Sequence, residues 1–234
     1  MQQTNRTASP IFLRQGERCY AYVKALLLDG GLDPGDSVSV EALSRALNTS
    51  RQPVMDAVKR LSTEGFINII PQVGCKVTTP DPDEVDDFYK MFAAAEALIA
   101  RLAAERRSDE EARAYMRLAA SVAEEATHLG NLKSQDPRYH HLVRRRHGAI
   151  HAMAHSPVIA EIAAGMWDRS NFYVRTSIGS AYFTDHVKAL HRQIDDAILK
   201  SDGAAAESAT HKFVDGGRPI IVLALKRKLR KSGD

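Results

Sequence analysis

The chain has 234 residues, 44% hydrophobic and 26% charged, a composition that excludes a disordered chain and is long enough for one or two cored domains. Lys and Arg number 32 against 29 Asp and Glu, so bulk charge does not by itself announce a nucleic-acid partner. No apolar run approaches the roughly 18 residues of a membrane span, and residues 1–10 lack the apolar centre of a signal peptide. With only two cysteines, Cys19 and Cys75, a disulfide framework is excluded; the expectation is a cytoplasmic protein with no membrane partner.

In chain order, residues 1–10 read as a loose polar tail. Cys19, Tyr22, Val23, Leu26 and Leu27 recur at helical spacing and predict a helix over 16–28, stopped by Gly30-Gly31. After the turn Leu32-Asp33-Pro34-Gly35, Ser39 is positioned to cap a short helix over 40–47 that buries Val40, Leu43 and Leu47. Asn48-Thr49-Ser50 connects it to a helix over 51–64, with Ser50 as cap and Val54, Ala57, Val58 and Leu61 as the buried stripe. Pro53 is tolerated there because the first turn has spare N–H groups. Two β-branched runs, 66–70 and 75–79, flank the turn Pro71-Gln72-Val73-Gly74 and predict a hairpin. Pro80-Asp81-Pro82-Asp83 is a linker, and six helices are expected after it, at 82–106, 108–129, 137–155, 157–179, 183–201 and 203–230.

The expected fold is therefore mainly α, with a winged helix-turn-helix over residues 1–80 and an all-helical antiparallel bundle over 81–234. A helix of that size fits the DNA major groove, and a hairpin beside it can approach the backbone or the minor groove. Arg51 and Gln52 stand at the exposed start of the second helix, where Arg suits guanine and Gln suits adenine. Ser50 directs a helix N-terminus at a phosphate, and Arg45, Lys59, Arg60 and Lys76 are further candidate phosphate contacts. Residues 1–80 hold 9 Lys and Arg against 7 Asp and Glu, leaving 23 against 22, so DNA binding would rest on a few placed cations.

The residues Gly31-Leu-Asp-Pro-Gly35, Leu43, Ala46-Leu47, Ser50-Arg51-Gln52-Pro53-Val54, Ala57, Leu61, Gly65, Pro71, Gly74 and Val77 resemble the GntR (gluconate-repressor) family of bacterial regulators. The resemblance implies operator contacts from Ser50, Arg51 and the wing glycine Gly74. Where the family commonly has a second arginine, this chain has Met55, whose side chain suits a thymine methyl instead.

The remainder resembles the FCD effector domain through Glu96, His147-Gly-Ala-Ile150, His191-Arg-Gln-Ile194, Ala197-Ile198, Asp202 and Ala206, and six helices resemble the shorter, vanillate-repressor type of subgroup. Many such domains hold a divalent metal with an Asp, a His four residues later and two further His. In register those positions are Val143, His147, His191 and Phe213, so two of the four ligands are replaced by apolar residues. All nine histidines lie between His128 and His211, and His147 and His151 are themselves four apart, on one helix face. Three readings stay open. The first is a three-histidine site of His147, His151 and His191, holding a metal such as zinc; the second is a metal-free pocket binding an anionic ligand; the third is a set of satisfied core histidines. Arg144, Trp167, Asn171 and Arg175 are further candidate effector residues, an inward arginine being costly unless paired. The run Lys226-Arg227-Lys228…Arg230-Lys231 reads as a solvated helix end.

The function expected is a ligand-responsive transcriptional regulator rather than an enzyme: a repressor that binds palindromic double-stranded DNA as a homodimer and releases it on binding a small anionic metabolite. The alternatives are a metal-dependent sensor and a zinc-dependent enzyme built on His147, His151 and His191. Against the enzyme stands the lack of a paired Glu-His motif, a nucleophile elbow or a Gly-rich phosphate loop.

Overall fold

The computed structural model describes residues 10–130, 138–179 and 185–232. Most of the expected N-terminal tail, the start of the third bundle helix at 137 and the stretch 180–184 lie outside those residues. The chain divides into two units, Met1–Thr79 and Pro80–Asp234.

In the first unit, α1 (Pro10–Asp29) starts six residues earlier than the apolar spacing indicates. Pro10 opens it, a residue whose fixed φ suits a first helical turn. Gly30, at φ +87°, ends it. Ser39 caps α2 (Val40–Ala46) by accepting from the Ala42 N–H at 3.1 Å. Only Leu43 of the three expected apolar residues is fully buried there, Val40 and Leu47 being half-buried. α3 (Arg51–Thr63) follows after Asn48, whose φ of +47° turns the chain between the two helices. Its buried stripe is the expected one, with Pro53 added.

Strands β1 (Ile67–Ile70) and β2 (Gly74–Val77) pair antiparallel, Ile67 opposite Val77 and Ile70 opposite Gly74. A bridge from Ser37 to Lys76, flanked by Val38 N–H to Cys75 O at 2.8 Å and Val77 N–H to Asp36 O at 2.9 Å, widens this wing. Three residues are too few to leave a period-2 pattern, so no sequence signal marks that bridge. Cys19, Val23 and Leu27 of α1 are fully buried, as are Val54, Val58 and Leu61 of α3 and Ile67 of β1. Tyr22 of α1, by contrast, is 40% exposed.

The second unit is helical throughout its described residues: α4 (Pro82–Arg106), α5 (Asp109–Gly130), α6 (Arg138–Met153), α7 (Pro157–Ile178), α8 (Asp185–Leu199) and α9 (Gly203–Ser232). Local chemistry sets the ends. Asp81 accepts from the N–H groups of Asp83 and Glu84 ahead of α4. Ser108 and Glu111 form a reciprocal capping box ahead of α5. His155, Gly179 and Ser201 take positive φ where α6, α7 and α8 stop.

Alanines let the helices approach closely. Ala100, Ala103 and Ala104 of α4 meet Ala206 and Ala209 of α9 in a core completed by Ile99, Ile150, Ile194 and Ile198. A Cβ on Gly203 would lie 2.7 Å from Glu105 Oε1, so only glycine starts α9 against α4 without displacement. The pairs Arg101–Glu207 and Lys226–Asp83 run α9 antiparallel to α4. Among the described residues no helix is long and apolar enough to cross a membrane. Ile198 has no exposed surface, so Ile198→Ala is expected to lower the stability of this unit by about 2–5 kcal/mol in denaturant unfolding.

Candidate functional site

Two groups of side chains carry chemistry, one in each unit. In the first unit the buried stripe of α3 leaves the opposite face of its first turn in solvent, with Arg51 and Gln52 both exposed. Neither is idle. Arg51 pairs with Glu41 of α2 at 2.5 Å, and Gln52 donates to Asp56 Oδ1 at 2.9 Å. The Arg51 and Glu41 side chains are 73% and 56% exposed. Such an exposed pair is worth under about 1 kcal/mol, so it leaves the Arg51 guanidinium available to a stronger partner. Ser50 stands at the N-cap, but its side chain makes no capping bond, contrary to expectation.

Arg45 in the last turn of α2 and Lys59 on α3 are exposed, and Met55 is half-buried. Arg60 is occupied elsewhere. Its guanidinium lies 3.7 Å from the centre of the Tyr20 ring and pairs with Glu17 and Glu64, so it fastens α3 to α1. α1 offers this guanidinium a ring and a carboxylate within reach, and the expected phosphate contact would have to displace them. At the wing tip Gly74, at φ +119°, has open space around its Cβ position. Gln72 takes φ +62°, and Val73 beside it is 66% exposed.

The second unit holds a buried polar cluster that the sequence only partly revealed. Glu96 of α4 is 2% exposed and faces α6, where His151 Nε2 donates to Glu96 Oε1 at 2.9 Å. His147 Nδ1 lies 3.4 Å from Glu96 Oε2, and His147 Nε2 has no hydrogen-bond partner. Burial alone would raise the Glu96 carboxyl; the two imidazoles beside it outweigh that and bring it down to about 2. Burial pushes His147 down, with Glu96 opposing. It pushes His191 of α8 down to about 2, reinforced by the Arg146 cation and by His147.

Aromatic rings enclose His147. Trp167 of α7 lies 4.2 Å away between centroids and Phe213 of α9 lies 5.4 Å away, nearly parallel. His191 packs on Phe213 at 4.6 Å. Phe92 closes the far side by meeting Trp167 edge-on at 5.1 Å. Trp167 is 6% exposed, and its Nε1–H has no hydrogen-bond partner.

Three of the four positions in register with a metal site, His147, His191 and Phe213, therefore do converge, and Val143 is buried one turn before His147. Only two of those four positions, His147 and His191, present ligand atoms, Val143 and Phe213 being apolar. The imidazole centres of His147 and His191 are 6.1 Å apart, and each packs on the Phe213 ring. The expected set His147, His151 and His191 is not assembled either, because His151 turns to Glu96. Among the described residues no three His, Cys, Asp or Glu side chains are placed to hold a metal ion.

The arginines also differ from expectation. Arg146, not Arg144, is the inward one, at 3% exposure, and it is bonded to Asp195 of α8 and to the His191 carbonyl. Tyr115 donates to the same Asp195 at 2.6 Å. Arg144 is half-exposed and reaches the buried Asp168 of α7, and Arg145 pairs with Glu125 at 3.1 Å. Asn171 and Arg175 are half-buried on α7 at four-residue steps from Trp167, Arg175 lying 5.9 Å from the Phe172 ring. Glu96, Asp168 and Asp195 were not singled out as partners from sequence. A search for acidic residues able to satisfy inward Arg and His would have found them.

Residues 15–77 match the family profile described as bacterial regulatory proteins of the gntR family, and residues 87–216 match the FCD domain. The chain is 21% identical over 188 residues to the uncharacterized HTH-type transcriptional regulator YdhC of Bacillus subtilis (strain 168), covering 80% of this chain and 82% of that one. It is 23% identical over 216 residues to the HTH-type transcriptional repressor GlaR of Escherichia coli (strain K12), covering 88% and 95%. Its fold is that of E. coli McbR/YncC, with a TM-score of 0.73 at 16% identity over 88% of this chain and 96% of that one.

The histidines set a pH dependence. An unfolded histidine binds a proton below about 6.5, whereas folded His191 stays neutral down to about 2. Between those limits the unfolded state holds more protons, so stability falls as pH falls. Glu96 acts in the same direction lower down, its contribution being present above the ordinary 4.5 and lost towards about 2. The unfolding free energy is expected to drop from pH 7 to pH 5, by up to ~1.4 kcal/mol per pH unit for each such histidine, and the melting temperature with it. His191→Gln is expected to flatten that slope, and an unchanged slope in calorimetry would count against the assignment.

Proposed function

The chain belongs to the GntR family of bacterial transcriptional regulators and carries the FCD effector domain, and from that premise we propose that it is a homodimeric repressor, released from a palindromic operator by a small anionic metabolite. It is a DNA-binding regulator with a small-molecule-binding domain, not an enzyme. The DNA-binding domain is assigned to residues 1–80 and the effector-binding and dimerising domain to 81–234.

The observation that carries the DNA-reading assignment is the exposure of Arg51 and Gln52 at the start of a helix whose other face is fully packed. Arg51 and Gln52 read base edges, Met55 contacts a neighbouring base, Ser50 and Gly74 approach the backbone, and Arg45 and Lys59 neutralise phosphates. Two such helices related by a two-fold axis match the halves of an inverted repeat.

The effector is assigned to the cluster around His147. Its Nε2 and the Trp167 Nε1–H are buried and without hydrogen-bond partners, a costly state that a ligand presenting polar atoms would relieve. Arg144, Asn171 and Arg175 supply cationic and amide groups from the two helices flanking Trp167 and His147. His151 acts through Glu96, holding the carboxylate that orients His147. Because Val143 and Phe213 stand where metal ligands would be needed, recognition on this reading is independent of metal.

Electrophoretic retardation of DNA from immediately upstream of the coding sequence tests the first half. Arg51→Ala is expected to weaken binding about ten- to a hundredfold, the weight of a base contact of ~1–3 kcal/mol, without changing the melting temperature. Equal binding by Arg51→Ala would overturn the reading. A thermal-shift screen of small carboxylates tests the second half. A hit that stabilises the wild type is expected to lose its effect in His147→Leu and to lower operator affinity. A hit that stabilises both proteins equally would place the effector elsewhere.

A further inference from the structure

The cations of the first unit differ in their surroundings. Arg45, Lys59 and Lys76 are exposed and, among the described residues, make no ion pair or side-chain hydrogen bond, as suits cations that neutralise phosphates. The two side chains that open α3 each carry a carboxylate instead. Glu41 Oε1 lies 2.5 Å from Arg51 Nη2, and Gln52 Nε2 donates to Asp56 Oδ1 at 2.9 Å. Both carboxylates are placed by their own helices. Glu41 stands in the first turn of α2, where the helix dipole favours an acidic group. Ser39, the cap of that helix, donates to Glu41 Oε2 at 3.5 Å, and Oε1 is left to Arg51. Asp56 is exposed one turn after Gln52 on α3, so the two are neighbours on one helix face.

One contact on each side chain leaves its other polar groups free. A guanidinium has five N–H donors, so Arg51 held through Nη2 still offers an adjacent pair to guanine O6 and N7. Gln52 keeps one N–H and its carbonyl, the groups that adenine N7 and N6–H require. The carboxylates matter more for what they repel. A phosphodiester carries a full negative charge and a base edge carries none. A carboxylate beside Arg51 therefore opposes the DNA backbone and leaves a base edge admissible. Without Glu41, Arg51 is one more free cation, open to the phosphates of any duplex.

We propose that Glu41 and Asp56 are specificity-determining residues of the DNA-reading face, turning Arg51 and Gln52 away from phosphates and towards base edges. The proposal rests on the reading of Arg51 and Gln52 as base contacts and adds the two acidic residues that make them selective. Glu41 carries the larger share, because its partner is a full cation and Gln52 is neutral.

Fluorescence anisotropy of the full chain on two duplexes, each over a range of salt concentrations, tests it. One duplex comes from immediately upstream of the coding sequence, and the other has the same length and composition in shuffled order. Glu41→Gln is expected to tighten the shuffled duplex and to steepen its log–log salt dependence by about 0.9, the weight of one added phosphate contact. The preference for the upstream duplex is expected to fall about tenfold at about 0.1 M salt, with the melting temperature unchanged. Asp56→Asn is expected to lower the preference by less. Lys59→Ala, by contrast, is expected to make both salt dependences shallower by about 0.9 and to leave the preference as it was. Equal tightening of both duplexes by Glu41→Gln, or no change in either, would overturn the proposal. The base-reading assignment would still stand in that case if Arg51→Ala lost the preference. An Arg51→Ala chain that keeps the parent's preference, or a parent that has none, would overturn both.

Discussion

The second unit depends on one buried carboxylate. Glu96 sits on the central face of α4 and meets two imidazoles one turn apart on α6. An ionised carboxylate with no partner at that depth would cost several kcal/mol. Here His151 donates to it, and His147 is turned so that its ring lies between Trp167 and Phe213. The contact with Glu96 and the two flanking rings together fix the inward direction of His147. A second buried carboxylate, Asp195, does comparable work behind His191 by neutralising Arg146 and accepting from Tyr115. Cations and anions are thus matched inside the bundle, and burial favours the neutral forms of His147 and His191.

The first unit solves a different electrostatic problem. It carries almost as many acidic as basic residues, so it has little long-range pull on DNA. The side chains that open α3 are held by weak exposed carboxylate contacts, Arg51 by Glu41 and Gln52 by Asp56. On the proposed reading, contacts of that strength would yield to a correct base edge while opposing indiscriminate phosphate binding. A near-neutral winged unit therefore favours discrimination over bulk affinity.

Much of this architecture was legible in the sequence because it rests on local rules. The helix start at Ser39 and the stop at Gly30 come from residue types whose side chain or backbone dictates them. The β-branched runs around the turn at Pro71–Gly74 and the stripe of α3 needed nothing else. What the sequence did not disclose is pairing at a distance. Nothing local says that Arg146 rather than Arg144 turns inward, that Arg60 lies on the Tyr20 ring, or that His151 goes to Glu96 and not to a cation. Those choices are settled by which acidic or aromatic group the packing brings across, 40 or more residues away. Family register located Val143, His147, His191 and Phe213 as one site, and the structure brings His147, His191 and Phe213 together.

The central claim is that internal carboxylates and aromatic rings, not a metal ion, organise the histidine cluster. The most direct measurement is the nitrogen chemical shifts of the His147, His151 and His191 side chains by two-dimensional NMR, before and after chelation, with metal content determined on the same sample. The account predicts neutral His147 and His191, a protonated His151 Nε2 hydrogen-bonded to Glu96, unchanged shifts on chelation and substoichiometric metal. One transition-metal ion per chain, with imidazole shifts that move when it is removed, would contradict it.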